Sequence, residues 1–213
     1  MIIYDLTVPV VDGRDWYNEE GTEPVSLKEM GSLAEQGWVS HNLAIMVLNG
    51  TTYLETAAHL YEDAPTLDQM PPEKFLVRAF VVELEGANQE LPAPGRDLEG
   101  FNRGEDAILL HCGWDSHVDA ADYYHASPYF SPDLQQWLLD HQPAILGGDM
   151  LSFDHPQDAK MPFLRTFFRG GGMILCPLVG LSRLPKIVTL CAAPLKLKGS
   201  SAAPCRALAW ADG

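Results

Sequence analysis

The sequence predicts a single α/β domain over residues 1–213. Three observations predict it. A chain of 213 residues has the length of one domain around one core. Hydrophobic residues make up 46% of it, enough to fill that core. Short apolar runs of strand character recur along the chain, and stretches with helical capping or spacing stand between several of them. No internal repeat or linker divides the sequence.

Residues 2–8 alternate loosely and predict a first strand, interrupted by Asp5 and ended by Pro9. Residues 12–24, rich in charge and glycine, predict a loop. Its Trp16 and Tyr17 suit either the wall of a substrate pocket or the anchoring of the loop. Residues 26–36 fit a short helix, with Ser26 as cap and Glu29 three residues on, or else an irregular excursion. Residues 38–48 predict a strand with an apolar end, and the prolines of residues 61–72 predict a loop. FLVRAFVVEL (75–84) and AILLHC (107–112) predict strands on either side of a turn-rich stretch. Ser131 caps a helix that opens on Pro132 and aligns Leu134, Trp137, Leu138 and His141; Pro143 ends it. Residues 144–148, 173–177 and 186–192 predict strands, and residues 161–169 a helix stopped by Gly170, Gly171 and Gly172.

Charge excludes some partners. With 29 acidic against 14 basic residues the formal charge is −15, which offers nothing to nucleic acid phosphates or an anionic membrane. The four cysteines lack metal-knuckle spacing, and three lie in apolar surroundings that suggest reduced core thiols. Without a leader pattern or an apolar run of spanning length, the expectation is a soluble cytoplasmic protein acting on a small molecule.

The chemistry concentrates in NGTTYLETAAHL, residues 49–60. If this is an irregular strand or turn, Tyr53, Glu55 and His59 share one face, while Thr52 and Thr56 take the other. A carboxylate and an imidazole on one face can bind a metal or pass a proton. The alternative is a solvated edge strand with ordinary polar residues.

The same segment resembles the signature His-x-Gly-Thr-His-x-Asp-x-Pro-x-His of the cyclase-like metal-dependent hydrolases. Thr52 and His59 match it, Glu55 stands at the aspartate, and Asn49 and Tyr53 stand at the two leading histidines. Gly113-Trp114 fits a turn of the same family. Gly147, Asp149, Ser152 and Asp154 fit its Gly-x-Asp-x-x-Ser-x-Asp. Leu178, Leu181, Leu184 and Pro185 match a later stretch, in which Cys176 replaces a glutamate and after which a glycine- and serine-rich turn leads to a last strand.

The resemblance covers residues 2–209. It implies a swivelling β/β/α fold with a mixed sheet and outer helices, and a homodimer or higher homo-oligomer. It also implies a zinc or manganese ion that activates water against an amide, formamide or lactone carbonyl. On this resemblance His59 is the base, Glu55 a ligand or orienting acid, and Tyr53 a donor to the oxyanion. Asn49, Thr52, Trp16 and Tyr17 bind substrate. Glu55, His59 and Cys176 form the metal set, a softer one that favours zinc over manganese. The lost histidines leave two other outcomes open: a metal-free cyclase or isomerase, and a non-catalytic binder of small molecules.

Overall fold

The computed structural model describes residues 1–84, 89–95 and 97–211. Its centre is a mixed eight-stranded sheet in the order β1 (Ile2–Asp5), β12 (Ala202–Ala211), β11 (Ile187–Pro194), β5 (Leu76–Glu83), β7 (Ala107–His111), β9 (Ile145–Gly148), β10 (Met173–Cys176) and β4 (Tyr53–Glu55). The pairs β5/β7, β7/β9 and β9/β10 are parallel, and the rest are antiparallel. β4 also pairs with the start of β12, Glu55 opposite Ala202, so the sheet closes on itself. The mixed sheet and few helices agree with the fold class expected from the sequence.

Strand alternation divides the core in two. Leu54, Ala79, Val81, Leu109, Leu175 and Leu190 fill one buried cluster, on the inner face of the closed sheet. Tyr53, Val82, Leu110, Ile174 and Cys176 face a second cluster, shared with the two helices. Gly147 faces the inner cluster because a Cβ there would stand 2.7 Å from Leu109 Cδ2.

Helix α1 (Pro132–His141) starts where the sequence predicts: Ser131 Oγ accepts from Leu134 N at 3.2 Å, with Pro132 in the first turn. Leu134 and Leu138 are its fully buried residues, 0% exposed. Helix α2 (Pro162–Arg169) buries Phe163, Leu164, Phe167 and Phe168. Asp154 caps it from the preceding loop, accepting from Phe163 N at 2.8 Å and Leu164 N at 3.1 Å. Asp154 is thus engaged at the helix start, and the neighbouring His155 packs edge-on against Tyr129.

The stretch 26–36 is not a helix. Ser26–Met30 forms strand β2, paired antiparallel with β3 (Ser40–Ala44) in a separate two-stranded arm. Gly31 at φ 78° breaks a helical path. A Cβ on it would stand 2.8 Å from the Trp38 ring, which folds over it. Every residue of β3 is exposed. A second small sheet pairs β6 (Glu90–Leu91) with β8 (Tyr129–Phe130).

Candidate functional site

β4 and the turn after it build the site. Glu55 ends β4 opposite Ile174. Thr56 then caps a single 3₁₀ turn, Ala57–His59, its Oγ1 facing Ala58 N at 3.4 Å. That turn carries His59 back over the carboxylate, with Nδ1 at 3.2 Å from Glu55 Oε1. Glu55 is 3% exposed, whereas the His59 side chain is 33% exposed. Burial pushes the Glu55 carboxyl up from an ordinary 4.5 to about 8. Burial, followed by the Arg165 guanidinium, lowers His59. Both shifts favour neutral forms, so the contact is a carboxyl–imidazole pair rather than an ion pair. Its alignment is poor for a hydrogen bond, and Glu55 Oε1 has no partner. Catalytic hydrogen bonds commonly tighten only when substrate is bound.

The pair opens into a cleft of about 510 Å³. Tyr17, Tyr53, Tyr124 and His125 line it together with residues of the loop 151–161. Tyr17 packs against Tyr124 with ring centroids 4.3 Å apart, and its carbonyl accepts from His125 Nε2 at 2.9 Å. Leu164 of α2 also reaches the cleft. Tyr124 and His125 carry no site signal in the sequence. They stand in DYYHASP, where loop spacing says nothing about which wall a side chain joins.

The structure brings Tyr17, Tyr53, Glu55 and His59 together and sends the other candidates elsewhere. Trp16 is 3% exposed, packs against Tyr123 and donates from Nε1 to Val118 O at 3.0 Å; it anchors its loop. Asn49 is buried, and both its polar atoms are engaged. Oδ1 accepts from Trp16 N at 2.9 Å, and Nδ2 donates to Asp15 Oδ1 at 2.7 Å. Thr52 Oγ1 accepts from Val8 N at 2.9 Å and donates to Pro177 O at 2.6 Å. Asn49 and Thr52 thus hold the first strand and the aromatic loop against β4 and do not line the cleft. For these three the expected substrate contact is replaced by a structural one, because each polar group finds a partner within the fold.

The metal set fares similarly. Strand register places Cys176 opposite Tyr53, not Glu55. Its thiol is buried beside the Tyr53 hydroxyl, and burial drives it well above the usual thiol range. Among the described residues, the group of three metal-capable side chains with ligand atoms within 4.8 Å of one another is His111, Asp115 and Asp149, not Glu55, His59 and Cys176. That group can hold a cation by proximity, but its atoms already have work. Asp149 accepts from Cys112 N at 3.0 Å and Gly113 N at 2.7 Å, and Asp115 from Gly180 N at 2.8 Å. His111 Nδ1 stands 2.7 Å from Glu83 Oε2. Zinc needs at least three protein ligands. The residues around Glu55 supply two, so they do not fit the centre that the resemblance implies.

A stability test follows from the buried carboxyl. A folded-state value raised above the unfolded one gives a contribution fully present below about 4.5 and lost as pH rises through about 8. Wild-type stability is expected to fall over that window. Glu55→Gln, which mimics the neutral acid, is expected to flatten the slope and to be the more stable protein at pH above 8. Urea denaturation of both proteins across the window checks this; equal slopes would place the Glu55 carboxyl in its ordinary range.

The putative cyclase family profile matches residues 4–155. Kynurenine formamidase of Bacillus cereus is 23% identical over 190 residues, covering 88% of each chain. Isatin hydrolase A from Labrenzia aggregata, solved bound to benzyl benzoate, superposes with a TM-score of 0.79 at 23% identity, over 98% of this chain and 93% of its own. A predicted metal-dependent hydrolase from Bacillus stearothermophilus superposes at 0.78 with 22% identity, over 98% and 97%. At these identities the structural likeness establishes the fold.

Proposed function

The chain belongs to the putative cyclase family, and on that premise we propose that it hydrolyses a small amide, formamide or lactone by water attack in the Glu55–His59 cleft. The observation that carries this reading is the His59 Nδ1 to Glu55 Oε1 approach of 3.2 Å inside a cleft of about 510 Å³. That volume lies in the range of small-molecule sites.

In this reading His59 takes a proton from water as the oxygen attacks the carbonyl carbon. The tetrahedral intermediate expels the amine or alcohol, which recovers the proton from His59 and leaves a carboxylic acid. Glu55 Oε1, 3.2 Å from Nδ1, fixes the ring once bound substrate tightens the contact. Tyr53 lines the same cleft with its hydroxyl beside the Cys176 thiol. A thiol is a weak acceptor, readily exchanged for a developing oxyanion. The tyrosines and Leu151, Phe153 and Leu164 give the substrate a largely apolar seat.

The reading includes a cytoplasmic homodimer. Four free cysteines suit a reducing compartment, and no helix among the described residues is long and apolar enough to cross a membrane. The β2–β3 arm and its flanks expose Met30, Leu33, Trp38, Val39, Leu43 and Met46, and Met46 also borders the cleft. Light scattering on the purified chain tests the dimer; a monomer at all concentrations contradicts it.

Product analysis after incubation with N-aryl formamides, isatin and simple lactones tests the activity. Hydrolysis of at least one class is expected. Absence of turnover across the panel, with and without added zinc or manganese, would overturn the reading.

A further inference from the structure

We infer that the Glu55–His59 site binds no divalent cation and that its chemistry proceeds by proton transfer alone, unlike relatives described as metal-dependent hydrolases. The inference rests on the proposed function only in taking Glu55 and His59 as the chemical groups of the cleft. Its warrant is that, among the described residues, no third His, Cys, Asp or Glu brings a ligand atom within 4.8 Å of both Glu55 and His59.

A cation held by Glu55 and His59 would need at least one further protein ligand. The polar side chains nearest in chain and register are Asn49, Tyr53 and Cys176. Asn49 is 0% exposed, and both ends of its amide are bonded, to Trp16 N and to Asp15 Oδ1. Turning either end toward an ion would strip a buried backbone N–H or a carboxylate of its partner. Tyr53 offers a neutral phenol, a poor ligand beside an imidazole, and its hydroxyl stands beside the Cys176 thiol. Cys176 is 0% exposed and sits opposite Tyr53 in the β4–β10 ladder, not opposite Glu55. The described residues that do converge, His111, Asp115 and Asp149, form a separate group with none of the cleft pair in it. Backbone amides already occupy two of its carboxylates.

The pair itself is consistent with this. Glu55 Oε1 has lost water and has gained no strong donor, and the nearest atom able to serve it is His59 Nδ1. A proton passed between carboxyl and imidazole fills that gap without an ion.

Elemental analysis tests the inference independently of catalysis. The full chain and the variants Glu55→Gln and His59→Ala are each equilibrated with excess zinc or manganese, freed of unbound ion by gel filtration, and analysed. The expected result is the same ion content in all three, with an equal shift of melting temperature on adding zinc. An ion held by the His111 group would appear equally in all three and would leave the inference standing. One stoichiometric ion in the wild type, lost in both variants, would overturn it. His59 is partly exposed, so His59→Ala has little packing to lose, and a retained melting transition confirms that it is folded. Turnover without metal agrees with the inference, and turnover found only after zinc loading overturns it. A protein with no activity and no ion at the pair refutes the hydrolase reading and the proton-transfer half of this inference, while the absence of a bound ion at the pair stands.

Discussion

Replacing His59 with alanine is expected to lower kcat by about 10²- to 10⁴-fold, the range of a lost general base. The loss should fall on kcat rather than KM, because the imidazole acts on water and the leaving group and not on the substrate's apolar body. The fold should survive. The side chain is 33% exposed and sits on a one-turn 3₁₀ segment, so its removal opens no core cavity. Glu55→Gln in the same assay should weaken activity less, since a glutamine still contacts Nδ1 but cannot exchange a proton with it. Steady-state kinetics on the substrate class found by product analysis, paired with thermal melts, measures both. A fall of less than about tenfold in the alanine variant would remove His59 from the chemistry.

The second large effect concerns stability. Asp149→Ala is expected to destabilise the fold by about 2–6 kcal/mol, the cost of leaving the two backbone donors held by its carboxyl without partners. Asp149 is 0% exposed. It accepts from Gly113 N at 2.7 Å, from Cys112 N at 3.0 Å and from Cys112 Sγ at 3.1 Å. It thereby ties the turn after β7 to the end of β9. Alanine would leave two backbone N–H groups without partners, at about 1–3 kcal/mol each. Asp149→Asn should recover part of the loss, since one amide oxygen can still accept. Chemical denaturation of the three proteins gives the values; a loss below about 1 kcal/mol would mean that water or another group takes over the donors.

The sequence is legible where the information is local. Ser131 and Pro132 mark the start of α1, and the apolar runs mark β5 and β7, because capping and alternation act over a few residues. The common face of Tyr53 and Glu55 was legible from period two, and His59 joined it through the turn capped by Thr56. The misreadings concern partners distant in sequence. Asn49 looked like a substrate ligand, but its amide serves Trp16 and Asp15, more than thirty positions away. Thr52 looked like part of a polar pocket, but it bridges Val8 and Pro177. Cys176 aligned with a ligand position, yet strand register alone decides whom it faces. Residues 26–36 carried a capping pattern that Gly31 and the Trp38 ring overrule.

The double pairing of β12 has a consequence for when the cleft can exist. This strand meets β11 along one side and, along the other, β4 at its start and β1 at its end. The strand bearing Glu55 is therefore secured by a segment that leaves the ribosome about 150 positions later, with Glu55 opposite Ala202. Until then β4 has only β10 beside it, and no arrangement of residues 1–200 can close the sheet. Nascent chains should accordingly lack a formed site until β12 has emerged. A lesion at the start of β12, residues 202–204, should silence the cleft without touching a single residue that lines it.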